Sequence, residues 1–115
     1  MKKIRQCRIM YLMEFIEASL FTKYVYNYLN EEEFLGLQNF LLISPEAGDI
    51  VPGSGGVRKL RWVTAGIGKR GGVRIIYYFK KQDDEIWLLT IYKKSEVQNI
   101  PAHILKRIAE EIQNE

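Results

Sequence analysis

The chain is poor in the residues that usually carry nucleophilic, redox or metal chemistry. Of its 115 residues one is cysteine, Cys7, and one is histidine, His103. A single thiol excludes an internal disulfide and any multi-thiolate zinc centre, and it fits a reducing compartment. A single histidine excludes a ribonuclease mechanism built on a histidine pair. No apolar run reaches the roughly 18 residues that a membrane-spanning helix needs. The start, MKKIRQCRIMYLMEF, has basic residues like an export signal. Its apolar run is broken by Arg8, Glu14 and Glu17 and lacks a small-residue cleavage site, so it reads as no signal peptide and the expected location is cytoplasmic.

Acidic residues are missing from one long interval. Between Asp49 and Asp83 there is none, while Arg58, Lys59, Arg61, Lys69, Arg70, Arg74, Lys80 and Lys81 fall there, eight of the seventeen basic residues. The net charge of only +3 hides this block. Cations segregated from carboxylates are the electrostatic footprint of a polyphosphate partner, although a solvated basic face gives the same pattern. No carboxylates stand at metal-ligand spacing, and no cofactor or metal is expected.

Periodicity predicts an α+β domain in the order β-α-α-β-β-β-α: a small, mostly antiparallel sheet with two N-terminal helices and a C-terminal helix. A first strand is expected over residues 8–17. Ser19 reads as the cap of a short helix bearing Leu20, Phe21, Tyr24, Val25 and Tyr28. Asn30 with Glu33 reads as a capping box opening a second helix, which Ser44-Pro45 ends. Residues 45–56 read as a loop. Val57–Val63, Val73–Phe79 and Glu85–Tyr92 are strand-like, the last two joined tightly at Asp83-Asp84. Pro101 opens a helix with Ile104, Leu105, Ile108 and Ile112 on one stripe.

The stretch GIGKRGGVR contains Gly66, Gly68 and Gly71 at the spacing of a dinucleotide fingerprint, but it leads into the strand VRIIYYF where that motif requires a helix. A phosphate loop needs glycine at position 63 and Ser or Thr at 70, where Val63 and Arg70 stand. What remains is a long strand-to-strand loop, residues 64–72, carrying Lys69-Arg70 between glycines. Alternation puts Arg74 on one face with Ile76, Tyr78 and Lys80, and puts Lys59 and Arg61 on a face opposite Leu60 and Trp62. With Trp62, Tyr78 and Tyr92 as neighbours, the expected surface is positive, concave and suited to single-stranded RNA.

In order and spacing, FIEASLFTKYVYNYL, PEAGDIVPGSGGVRKLRW, GIGKRGGVRIIYYF and LLTIYKKSE resemble the RelE/HigB group of bacterial type II toxins, from about Met13 to the end. Residues 1–12 then read either as a basic N-terminal extension or as a consequence of a start codon upstream of Met13, with 13–115 as the toxin domain. The resemblance implies an endoribonuclease, an mRNA interferase that needs the ribosome, cuts translated mRNA in the A site and stops protein synthesis. It also implies an adjacently encoded antitoxin, often with a helix-turn-helix domain, through which the complex would reach operator DNA. Arg61, Lys69, Arg74 and Lys94 are the implied catalytic positions, with Arg58, Lys59, Arg70, Tyr92 and Lys93 holding RNA or ribosome. Glu96 closes the last motif and is expected to orient Lys94. Some of these toxins carry a tyrosine after the last strand, and none follows Tyr92 here. Without a histidine pair, clustered cations would have to do the work: a lysine of lowered pKa in proton transfer, arginines on the phosphorane. Two other readings compete: an RNA- or ribosome-binding module that does not cut, and a protein-binding subunit whose charge is incidental.

Overall fold

Along Val73–Lys80 successive side chains go to opposite faces, and Ile75 and Tyr77 on one face are as deeply buried as Ile76 and Tyr78 on the other. A strand buried on both faces must be covered on both. The computed structural model describes the backbone of Lys3–Ile9 together with residues 13–63, 72–96 and 100–115, and it shows how. Strands β1 (Lys3–Ile9) and β2 (Met13–Ala18) precede helices α1 (Ser19–Tyr28) and α2 (Glu31–Ile43). Strands β3 (Asp49–Ile50), β4 (Arg58–Trp62), β5 (Val73–Lys80) and β6 (Glu85–Lys93) follow, and helix α3 (Ala102–Gln113) comes last. The six strands form one sheet in the order β1-β2-β6-β5-β4-β3. Phe21, Val25, Leu29, Phe34, Leu37 and Leu41 of the α1–α2 layer pack with Phe15, Ile75, Tyr77, Ile86 and Leu88. Leu105, Ala109 and Ile112 of α3 pack with Ile16, Ile76, Tyr78, Trp87 and Leu89.

The expected α+β class holds, and so do both α2 boundaries and the β5–β6 hairpin. Asn30 makes the capping box in full: its Oδ1 accepts from the Glu33 N–H at 2.7 Å, and Glu33 Oε1 accepts from the Asn30 N–H at 2.9 Å. Three expectations need correction, and the tight β5–β6 connection gains its detail. The single strand over residues 8–17 is two strands, paired antiparallel with Cys7 opposite Phe15. Nothing between them in the sequence, no Gly, Pro, Asn or Asp, marks a turn. The loop 45–56 contains the short strand β3, paired to β4. Ser19 is the first residue of α1 and caps nothing, because β2 runs directly into the helix with extended Ala18 in the flanking position. The β5–β6 connection is a 3-10 turn, Lys81–Asp83, closed by Asp84 at φ +53, a left-handed conformation that Asp tolerates.

Segment 45–50 is tied to the sheet by one phenol. Tyr77 O–H donates to the Pro45 carbonyl at 2.9 Å and accepts from the Gly48 N–H at 2.9 Å. A side chain at Gly48 would meet the Tyr77 ring at 2.9 Å, so the approach requires glycine. Tyr77→Phe keeps the ring and leaves the buried Gly48 N–H and the part-buried Pro45 carbonyl without this partner, for an expected loss of about 2 kcal/mol of stability. Urea denaturation would measure it, and an unchanged midpoint would show that the phenol carries no such role.

Candidate nucleic-acid interface

A cross-strand row forms the centre of the candidate site. Arg61 on β4 stands directly opposite Arg74 on β5, and Arg74 stands opposite Tyr92 on β6. Directly paired residues share a face of the sheet, so two guanidinium groups and a phenol lie side by side on the face that α3 covers further along. Arg61 is exposed, Arg74 half-buried and Tyr92 almost wholly buried. Like charges directly opposite one another cost a sheet stability, and an arginine pair is a planar, permanently charged fork that fits phosphate oxygens. Burial pushes the phenol of Tyr92 up while the charge of Arg74 pulls it down, so at neutral pH the group is a protonated O–H beside the cations. Lys59, two residues before Arg61, is exposed on the same face.

A bulge puts the row together. From Lys80↔Glu85 to Tyr77↔Leu88 the pairing is regular, and between Tyr77 and Ile76 it shifts by one residue, giving Ile76↔Thr90 and Arg74↔Tyr92. Without the shift Arg74 would face Ile91, which belongs to the opposite face with α1 and α2.

The other implied residues separate. Arg58 lies on the α1–α2 side of the sheet, opposite Tyr77, and its guanidinium donates to the carbonyls of Glu46 at 3.0 Å and Gly48 at 2.8 Å, with the Glu46 carboxylate at 3.7 Å. It clamps the 45–50 segment. Lys93 and Lys94 are exposed at and just past the end of β6. Lys69 and Arg70 lie outside the described residues. Lys80, part of the basic block, is 2% exposed and bonds Asp83 at 2.9 Å and the backbone oxygen of Glu115 at 3.1 Å. Of the three aromatics expected on the RNA face only Tyr92 is in the row. Trp62 lies on the opposite face with its ring 5.2 Å from that of Phe40, and Tyr78 packs under α3 with its hydroxyl accepting from Gln113.

Glu96 is not a partner of Lys94. Its Oε1 accepts from the Tyr28 O–H at 2.6 Å and from the Lys93 N–H at 3.2 Å, which ties the end of α1 to the end of β6. The Tyr28 bond, joined by the Lys93 N–H, holds the Glu96 carboxyl below its usual range, while burial and the Glu96 bond push the Tyr28 phenol up to about 12. Tyr24 and Tyr28, expected on one face of α1, pack against the core at its edge and also line a groove of about 460 Å³ with Leu20, Thr90, Ile91, Tyr92 and Glu96. Their four-residue spacing after Leu20 was the available signal.

The linkage has a defined sign at each end of the pH scale. An unfolded Tyr28 ionises near 10 and the folded one near 12, so its contribution is intact below 10 and lost from 10 to 12. Glu96 contributes above 4.5 and loses that contribution as pH falls through its lower folded value. Glu96→Ala should bring the Tyr28 titration back toward 10, read from ring-carbon chemical shifts. A titration that stays near 12 in the variant would assign the shift to burial alone.

No protein-family model matches the sequence. Among the described residues no three His, Cys, Asp or Glu side chains come together as a metal-ligand set, and no helix is long and apolar enough to cross a membrane.

Proposed function

We propose that the chain is the toxin of a bacterial type II toxin–antitoxin pair of the RelE/HigB kind, a metal-independent endoribonuclease that cuts ribosome-bound mRNA in the cytoplasm. The Arg61–Arg74–Tyr92 row carries this reading: two arginines stand in directly paired positions on a sheet, where a phosphate would lie between them. In the reaction the 2′-oxygen attacks phosphorus, the bond to the 5′-oxygen breaks, and a 2′,3′-cyclic phosphate and a 5′-hydroxyl result. Arg61 and Arg74 hold the charge that builds on the non-bridging oxygens. One proton leaves the 2′-hydroxyl and one reaches the departing 5′-oxygen, and Lys94, Lys69 and the Tyr92 phenol are the groups offered for those transfers. Lys59, Lys93 and Arg70 would hold the flanking backbone electrostatically. The partners of this reading are the programmed ribosome and an adjacently encoded antitoxin, which would bring the complex to operator DNA.

The second reading, RNA or ribosome binding without cleavage, draws on the same row and on the exposure of Lys94, which stands in solvent just past the end of β6 where it can meet a phosphate backbone. Purified protein incubated with a defined mRNA, with and without programmed ribosomes, separates the two by primer extension. Breaks that appear only with ribosomes support the nuclease. Intact mRNA in both reactions, with salt-sensitive ribosome binding, would leave the binding module.

A further inference from the structure

The groove beside the row has a floor, walls and one charged rim group, and the phosphate chemistry uses none of them except Tyr92. β2 pairs with β6 only as far as Glu17↔Leu88, after which the chain turns into α1. The rest of β6 therefore has α1 where a neighbouring strand would be, and the groove runs along that edge. Tyr24 and Tyr28, one helical turn apart, form its aromatic wall, and Thr90, Ile91 and Tyr92 its floor. Lys23 places its Nζ 5.2 Å from the centre of the Tyr24 ring, a cation–π contact with one member of that wall. Its volume, about 460 Å³, accommodates a single heteroaromatic ring system, and its polar and apolar linings suit one.

Resting on the RNA-binding reading above, we infer that this groove takes one nucleobase of the bound strand, stacked on Tyr24, and prefers a base with an exocyclic amino group, adenine or cytosine, over uracil. Tyr92 belongs to both the groove and the arginine row, so a nucleotide whose phosphate meets Arg74 has its base next to the groove. The preference comes from Glu96. Among the described residues both of its hydrogen bonds to the protein fall on Oε1, and Oε2 is the acceptor offered to a ligand. A carboxylate oxygen accepts and cannot donate, so it favours an amino group and repels the O4 carbonyl of uracil.

Glu96→Gln tests this with the fold kept, since Glu96 is exposed. The Tyr28 O–H and the Lys93 N–H both need an acceptor, so the amide oxygen stays with them and the NH2 takes the place of Oε2. The groove then offers a donor where it offered an acceptor. Fluorescence titrations of labelled deca-A, deca-C and deca-U should show the wild-type protein binding A and C about tenfold more tightly than U. In Glu96→Gln that order should reverse, and Tyr24→Ala should weaken all three by about tenfold through lost stacking. Equal affinities for the three oligomers, unchanged in Glu96→Gln, would overturn the groove assignment and leave the arginine row as a phosphate site. Binding to none of them would overturn it as well, and the ribosome cleavage assay would then judge the nuclease reading separately.

Discussion

Arg74→Ala should lower ribosome-dependent mRNA cleavage by about 10²–10³-fold, the usual effect of removing one preorganised donor from a developing oxyanion. The loss should fall on single-turnover cleavage more than on ribosome affinity, because Lys59, Arg61 and Lys93 remain to hold the strand electrostatically. Stability gives the control. Arg74 stands directly opposite Arg61, so its removal relieves a like-charge pair while taking away the contacts its own side chain makes, and urea unfolding of the variant would separate lost cleavage from lost fold. Arg74→Lys separates charge from shape: a lysine keeps the cation without the bidentate fork, and cleavage should fall between wild type and alanine. Full cleavage by the alanine variant at saturating ribosomes would refute the role given to the row. Reduced binding with unchanged single-turnover cleavage would make Arg74 an RNA contact only.

The largest effect on the fold is expected at Gly72, where the chain enters β5. Its φ is +57, and a Cβ there would stand 2.2 Å from the Trp62 carbonyl oxygen and 3.0 Å from the Val63 Cα. All of these neighbours are backbone, so no side chain can swing away. Gly72→Ala combines the left-handed penalty, about 1–2 kcal/mol, with overpacking of about 1–3 kcal/mol, for a total loss of about 3 kcal/mol. The strain falls beside the Trp62↔Val73 pair, one position from Arg61↔Arg74, so cleavage should fall with stability. Thermal or urea unfolding together with the cleavage assay would check both, and a variant as stable as wild type would show that the β4–β5 end accommodates the methyl.

Much of this architecture was legible because its signals are local. The Asn30–Glu33 box, the apolar stripe of α3 and the alternation of β5 each depend on residues a few positions apart. The reversal between β1 and β2, and the parallel pairing of β2 with β6, depend on partners that no short window contains. The site divides in the same way. Arg61 and Arg74 were readable as cations on strands, but their alignment with Tyr92 depends on the bulge in β6. Apart from Thr90, Ile86–Tyr92 is apolar on both faces, so its pattern does not mark where the register slips. Arg58 and Lys80 looked like surface cations in sequence, and one ties down a loop while the other is buried against Asp83. Only the third dimension distinguishes such a clamp from an open charge. Glu96 was noticed as the end of a motif, but its bond to Tyr28 spans two distant segments and left no mark in the spacing.

The strand order also bears on when the protein becomes competent during its own synthesis. β6 sits in the middle of the sheet, between β2 and β5, although it is the last in sequence of the six described strands. Until Glu85–Lys93 has left the ribosome, β1 and β2 cannot join the β3–β4–β5 half, and Arg74 has no Tyr92 beside it. Until then the nascent sheet is two unpaired halves, and closing them is a non-local step of the kind that slows folding. The topology therefore makes β6 the strand on which assembly of the Arg61–Arg74–Tyr92 row waits.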